Sequence, residues 1–143
     1  QNAELIYQLQ AWNRQTRLGK VFDSSTGFRF SNGAIRSPDV AWLPNETWET
    51  LSPEQKQRFV PLCPHFAIEL LSSSDILEKT RSKMQEYMNN GTQLAWLTRF
   101  SKSTSRNLPS QPKPRTSDIS HHRLWGIYRT RIGCRFHTNF WIF

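Results

Sequence analysis

The sequence predicts an α/β (α+β) domain, a central mixed sheet flanked by helices, followed by an irregular C-terminal tail. Three observations carry this. A helix-period segment and several short β-patterned runs are followed by a strand, a helix and a strand in succession. The run "FAIELL" (66–71) is apolar on both faces, as in a central strand covered by helices. The helix between it and "TQLAWL" is a crossover, which makes those two strands parallel neighbours.

Each element follows from local grammar. Leu5, Ile6, Leu9 and Trp12 recur at helical spacing after a polar start. Val21–Phe22 and Phe28–Phe30 flank "DSSTG", which reads as a hairpin turn, and "SNG" separates a further strand from about Ser37 to Leu43. In "LSPEQKQRF", Ser52 suits an N-cap and Pro53 the first helical position, giving a short inserted helix. Ser74 or Asp75 is the expected cap of a helix running to about Asn90, with Gly91 as its stop and Leu77, Met84, Tyr87 and Met88 as its apolar stripe.

The chain has 143 residues, enough for one domain with a real core. Residues 1–98 are expected to form that domain. Residues 99–143 form a second, anomalous part: Ser-, Pro- and Arg-rich, then aromatic and basic, a composition that favours disorder or poor packing, though a strand or two could be added there. The formal charge of +8 belongs to this tail, because the first 98 residues hold equal numbers of acids and bases. The global charge therefore does not argue that the body binds nucleic acid. No apolar run approaches a membrane span, and no signal-peptide pattern opens the chain. The two cysteines make no disulfide framework, so a reducing cytoplasm is the expected location.

Glu69 sits in the middle of "FAIELL", on the strand face it shares with Ala67 and Leu71. A carboxylate there must be protonated, paired or bound to a metal. Asp39 follows Pro38 at the start of another strand, and Glu4 lies on the first helix. On the helix after the Glu69 strand, Lys83 falls beside Tyr87 at the edge of the apolar stripe, where its stem can lie on the core and its ammonium can reach the sheet. Two carboxylates and a lysine are what metal-assisted phosphodiester hydrolysis uses: the acids hold Mg²⁺, and the lysine stabilises the attacking hydroxide and transition-state charge. Each residue also has an ordinary reading: a Pro-Asp turn for Asp39, a structural ion pair for Glu69, a solvated pair with Glu86 for Lys83, and a first-turn helix acid for Glu4.

The segments "AELIYQLQAWN", "GFRFSNGAIRSPDVAWL", "FAIELLSSSD" and "KMQEYMNNGTQLAWL" together resemble the Uma-type "putative restriction endonuclease" family, a branch of the PD-(D/E)XK nuclease superfamily. The resemblance covers about residues 2–97, and nothing from Thr98 onward matches. It implies a restriction-endonuclease-like core and a Mg²⁺-dependent DNA endonuclease, with Asp39 and Glu69 as metal-binding catalytic acids, Glu4 as a further metal ligand and Lys83 as the catalytic lysine. The superfamily pattern has a lysine two residues after the second acid. Here that position is Leu71, a departure that members of this family share, and the helix lysine takes over.

Other chemistries fit less well. Cys63-x-His65 and Cys134-x-x-His137 are loosely compatible with zinc, but they lie in the insertion and in the tail. There is no nucleophile elbow and no phosphate-cradling glycine loop. The alternatives to an active endonuclease are a DNA-binding module that kept the fold without turnover, and a truncated or frame-altered family member with an exposed sheet edge. A homodimer is the assembly that would mirror a palindromic target.

Overall fold

The computed structural model describes residues 2–99 and 139–142. In chain order these form α1 (Asn2–Thr16), β1 (Gly19–Asp23), β2 (Phe28–Arg29), β3 (Ile35–Arg36), β4 (Val40–Pro44), α2 (Asn45–Glu49), α3 (Pro53–Lys56), β5 (Phe66–Leu70), α4 (Leu77–Asn89), β6 (Leu94–Arg99) and β7 (Asn139–Ile142). The mixed sheet expected from the sequence is present. It has five strands in the order β1-β4-β5-β6-β7, and β2 pairs with β3 in a separate ribbon. Among the described strands of this sheet β5 and β6 are the parallel pair, as the crossover through α4 requires.

Alternation along the central strands assigns the two faces. Ala41, Ala67 and Ala95 stand in one row across β4, β5 and β6. With Leu43, Leu71 and Leu97 they form a floor on which Met84 and Tyr87 of α4 pack, together with Phe28 and Phe30. The small alanines leave room for the large helix side chains, which is how a flat sheet meets a helix at close-packed density. The opposite face carries Val40, Trp42, Phe66, Ile68, Leu94 and Trp96, and Trp12 of α1 meets Trp42 edge-on at 5.8 Å.

Asn13 fixes the turn from α1 into β1. Its side chain donates to Gly19 O at 2.8 Å and accepts from both Gly19 N and the Trp42 indole N–H. Gly19 is required by close approach. A Cβ there would stand 2.1 Å from Leu43 O and 2.5 Å from the Trp42 ring.

Two local expectations are corrected. "DSSTG" is a turn, but not of a hairpin: β1 pairs antiparallel with β4, and β2 pairs with β3 around "SNG", where Gly33 has a φ of +84°. Phe28 and Phe30, the apolar residues that follow the turn, belong to the hydrophobic core. The observed ribbon folds them over the core, where Phe30 meets Tyr87 at 5.4 Å. The strand expected over Ser37–Leu43 begins at Val40 accordingly. At α4, neither Ser74 nor Asp75 is the cap. Ile76 holds that position without a side-chain cap, and the Asp75 carboxylate instead accepts from Ser72 N at 2.6 Å. The expected capping of α3 is present in full: Ser52 Oγ accepts from Gln55 N and Gln55 Oε1 accepts from Ser52 N.

The strand β7 pairs antiparallel along β6, so β6 is not an edge of the sheet. The expectation of a disordered or poorly packed segment after residue 98 falls mostly on residues 100–138, which lie outside those described. Residues 2–99 and 139–142 belong to one compact unit.

Candidate functional site

The site grows out of the point where the β4–β5 ladder ends. The last ladder pair is Val40 with Ile68. Continuing that antiparallel register by one residue sets Asp39 directly across from Glu69, on the same face of the sheet. Beyond the ladder, Leu70 N would lack an acceptor on β4. The Asp39 carboxylate supplies one, with Oδ2 accepting at 2.8 Å. The turn chemistry of "RSPD" therefore orients one acid toward the end of the neighbouring strand.

Glu69 is 6 % exposed. Its Oε1 accepts from two groups of α4: the Tyr87 hydroxyl at 2.7 Å and the Lys83 ammonium at 2.7 Å. Burial raises the carboxyl pKa above its ordinary value, the Lys83 charge and its hydrogen bond oppose this, and the neighbouring Asp39 charge adds to the rise. Burial and the Glu69 charge likewise push the Tyr87 hydroxyl up, so it stays a proton donor. Lys83 is about one-third exposed, and its Nζ lies 5.9 Å from the centre of the Tyr87 ring. The lysine thus spans from buried carboxylate to open surface.

The structure brings together three of the four residues expected from sequence: Asp39, Glu69 and Lys83. Lys83 pairs with Glu69 rather than with Glu86, which is taken by Arg36. Glu4 is exposed on α1, and its Oε1 accepts from Gln8 Nε2 at 2.8 Å. Among the described residues no group of three or more His, Cys, Asp or Glu side chains gathers as a metal site, so Glu4 does not join the pair. The loose zinc pattern gains nothing at its described half: Cys63 Sγ lies 3.0 Å from Thr92 Oγ1, and burial raises its thiol pKa. Cys134 and His137 lie outside the described residues.

One further group, Tyr87, belongs to the site and escaped the sequence reading, and Asp75 is coupled to it only through charge. Tyr87 was expected only as core, yet its hydroxyl holds Glu69. The signal was available, because a buried tyrosine needs a partner for its O–H. Asp75 was expected as a helix cap. Its carboxyl is held below the ordinary value first by hydrogen bonds from Ser72, and also by the Lys83 and Arg99 charges nearby.

The donor set suits a small, hard cation. Asp39 and Glu69 offer carboxylate oxygens side by side, and one oxygen of each makes no hydrogen bond among the described residues. Mg²⁺ commonly uses one or two carboxylates and fills its remaining positions with water and substrate phosphate. A third protein acid is therefore not needed for a fit. Burial is the main cause that raises the Glu69 carboxyl and the Asp39 charge the smallest, and a bound cation would oppose both.

A family model described as "Uma2: Putative restriction endonuclease" matches residues 1–131. The match runs past Leu97, which corrects the expectation that the resemblance stops there. A search of the curated proteins finds no match. Among solved structures, the chain is similar to a crystal structure described as "a putative nuclease belonging to DUF820" from Anabaena variabilis ATCC 29413. The identity is 19 %, the TM-score 0.57, and the match covers 68 % of this chain and 54 % of that one. This likeness shows a common fold, and the chain spans about half the length of that neighbour. Among the described residues no helix is long and apolar enough to cross a membrane.

Proposed function

The chain belongs to the Uma2 family, and from that premise and the geometry of the site we propose that it is a Mg²⁺-dependent DNA endonuclease that hydrolyses phosphodiester bonds. The observation that carries the proposal is the meeting of Asp39, Glu69 and Lys83 at one end of the sheet. Asp39 and Glu69 would hold the ion, and water and substrate phosphate would fill the positions for which the family resemblance suggested Glu4. The bound ion would neutralise phosphate charge and make water more acidic.

The chain's own groups supply the rest. Tyr87 and Lys83 fix Glu69 through a single oxygen, which leaves the other for the ion. Lys83 has three N–H donors and gives one to Glu69. The others can orient the attacking water and meet charge that develops on the phosphoryl oxygens. In the reaction the water oxygen bonds to phosphorus, the bond to the leaving sugar oxygen breaks, and that oxygen takes up a proton.

The test is cleavage of plasmid DNA by the full chain with Mg²⁺ and with EDTA. Nicking that requires Mg²⁺ and vanishes in Glu69→Ala is expected. Cleavage that survives this substitution removes Glu69 from catalysis. Salt-sensitive DNA binding without cleavage in any divalent metal identifies a binding module instead.

A further inference from the structure

A cleft of about 690 Å³ opens between the segment that leads into β4 and α4, and it shares Lys83 with the carboxylate pair. Arg36 and Ser37 line one wall, and Lys79, Ser82, Lys83 and Glu86 line the other. Its single acid is already engaged. Glu86 Oε2 accepts from Arg36 Nε at 2.6 Å, and Oε1 accepts from Asn32 Nδ2 at 3.2 Å. Arg36 Nη1 donates to Ile35 O at 3.0 Å. The guanidinium is thereby held in place while Nη2 makes no hydrogen bond among the described residues.

Lys83, bound to Glu69, joins the cleft to the acids. One turn earlier on α4, Lys79 is exposed and forms no ion pair among the described residues. Lysines four residues apart on a helix repel each other, and an anion between them would relieve the repulsion. A positioned guanidinium, a free ammonium and the Ser37 hydroxyl form the donor set that meets phosphodiester oxygens, Ser82 Oγ being already given to Glu78 O at 3.0 Å.

We propose that this cleft binds the sugar-phosphate backbone of DNA beside the scissile phosphate, with Arg36 and Lys79 as phosphate ligands. This rests on the endonuclease reading only for what lies at Asp39 and Glu69. The body of the chain was electrically neutral by count, and the cleft shows how a neutral body can still present a local cationic track. A second basic cleft, lined by Arg14, Arg17 and Lys20 with no acid, lies at the opposite end of β4 and serves as a control for charge alone.

The experiment measures binding of a short fluorescent duplex to the full chain in EDTA over a range of salt. Lys79→Ala and Arg36→Ala are each expected to weaken binding roughly fivefold to tenfold at low salt and to reduce the slope of log affinity against log salt by about 0.9. Arg14→Ala is expected to change neither. Arg36→Ala also frees Glu86, so Lys79→Ala, at an exposed and unpaired position, is the decisive variant. An unchanged slope in Lys79→Ala, an equal loss in Arg14→Ala, or no DNA binding at all overturns the proposal. Cleavage in Mg²⁺ is read separately. A reduced slope in Lys79→Ala with no cleavage keeps the cleft and rejects the endonuclease; cleavage with KM and slope unchanged in Lys79→Ala does the reverse.

Discussion

Asp39 closes the end of the β4–β5 ladder by accepting a hydrogen bond at 2.8 Å from Leu70 N, the residue next to Glu69 on β5. The same carboxylate therefore has a structural task and a chemical one, and a single substitution can separate them.

Asp39→Asn keeps an oxygen that can accept from Leu70 N, and removes the negative charge a cation needs. The variant should unfold within about 1 kcal/mol of the parent and lose Mg²⁺-dependent cleavage. Asp39→Ala removes both functions and should also lose about 1–2 kcal/mol, the cost of leaving a half-buried amide without its acceptor. Urea titrations set beside nicking assays check the pair. Equal stability loss in both variants would show that charge, not the hydrogen bond, holds the strand end.

Tyr87→Phe deletes one hydroxyl from a fully buried ring and leaves Glu69 with Lys83 as its remaining donor. A stability loss of about 1–2 kcal/mol is expected. Because the hydroxyl positions a carboxylate without touching substrate, kcat should fall while KM stays near its parent value. A change confined to KM would contradict a positioning role. Raising Mg²⁺ should recover part of the rate, since a loosely held carboxylate binds the ion more weakly.

These residues show how far the sequence was legible. Glu69 and Lys83 could be paired on paper because two simple periods apply: alternation sets the strand face and 3.6 residues per turn sets the helix face. The small floor of Ala41, Ala67 and Ala95 was not read, though its alternation was visible. The partner of β1 was not legible either. Strand pairing is non-local, and "DSSTG" has the composition of a hairpin turn while the pairing is decided by where Phe28 and Phe30 can be buried. Arg36 escaped notice because its use depends on Glu86, which lies on a helix far along the chain.

His65 supplies a pH dependence independent of the site. Burial lowers its pKa from the ordinary 6.5, and its Nδ1 is buried without a hydrogen bond among the described residues. Below that ordinary value the unfolded chain takes up a proton that the folded chain refuses. Stability should therefore rise with pH through this window, and fall as pH drops from 6.5 toward the lower folded value. Urea unfolding between acid and neutral pH should show that slope in the parent and a shallower one in His65→Gln. The other three histidines are common to both proteins and cancel in the difference. Identical slopes would mean that burial does not perturb this imidazole.

Leu71 is the position where the superfamily pattern implies a lysine, and its surroundings explain what a return would do. The side chain is 4 % exposed and belongs to the core cluster with Met84, Tyr87 and Leu97. It shares the strand face of Glu69, so geometry alone would permit a lysine beside that acid. The space, however, is filled by α4, whose Lys83 already occupies Glu69 Oε1. Leu71→Lys would place a second ammonium in an apolar core, at a cost of about 3 kcal/mol or more. The double variant Leu71→Lys with Lys83→Ala is the informative one. Removing Lys83 strands the buried Glu69 charge, and the new lysine can reach it only by displacing Met84 or Tyr87. Thermal unfolding should therefore show the double variant less stable than either single one, with no cleavage recovered. Recovery of cleavage would mean that the lysine is interchangeable between strand and helix, and that the packing of α4 on this face is looser than its buried side chains indicate.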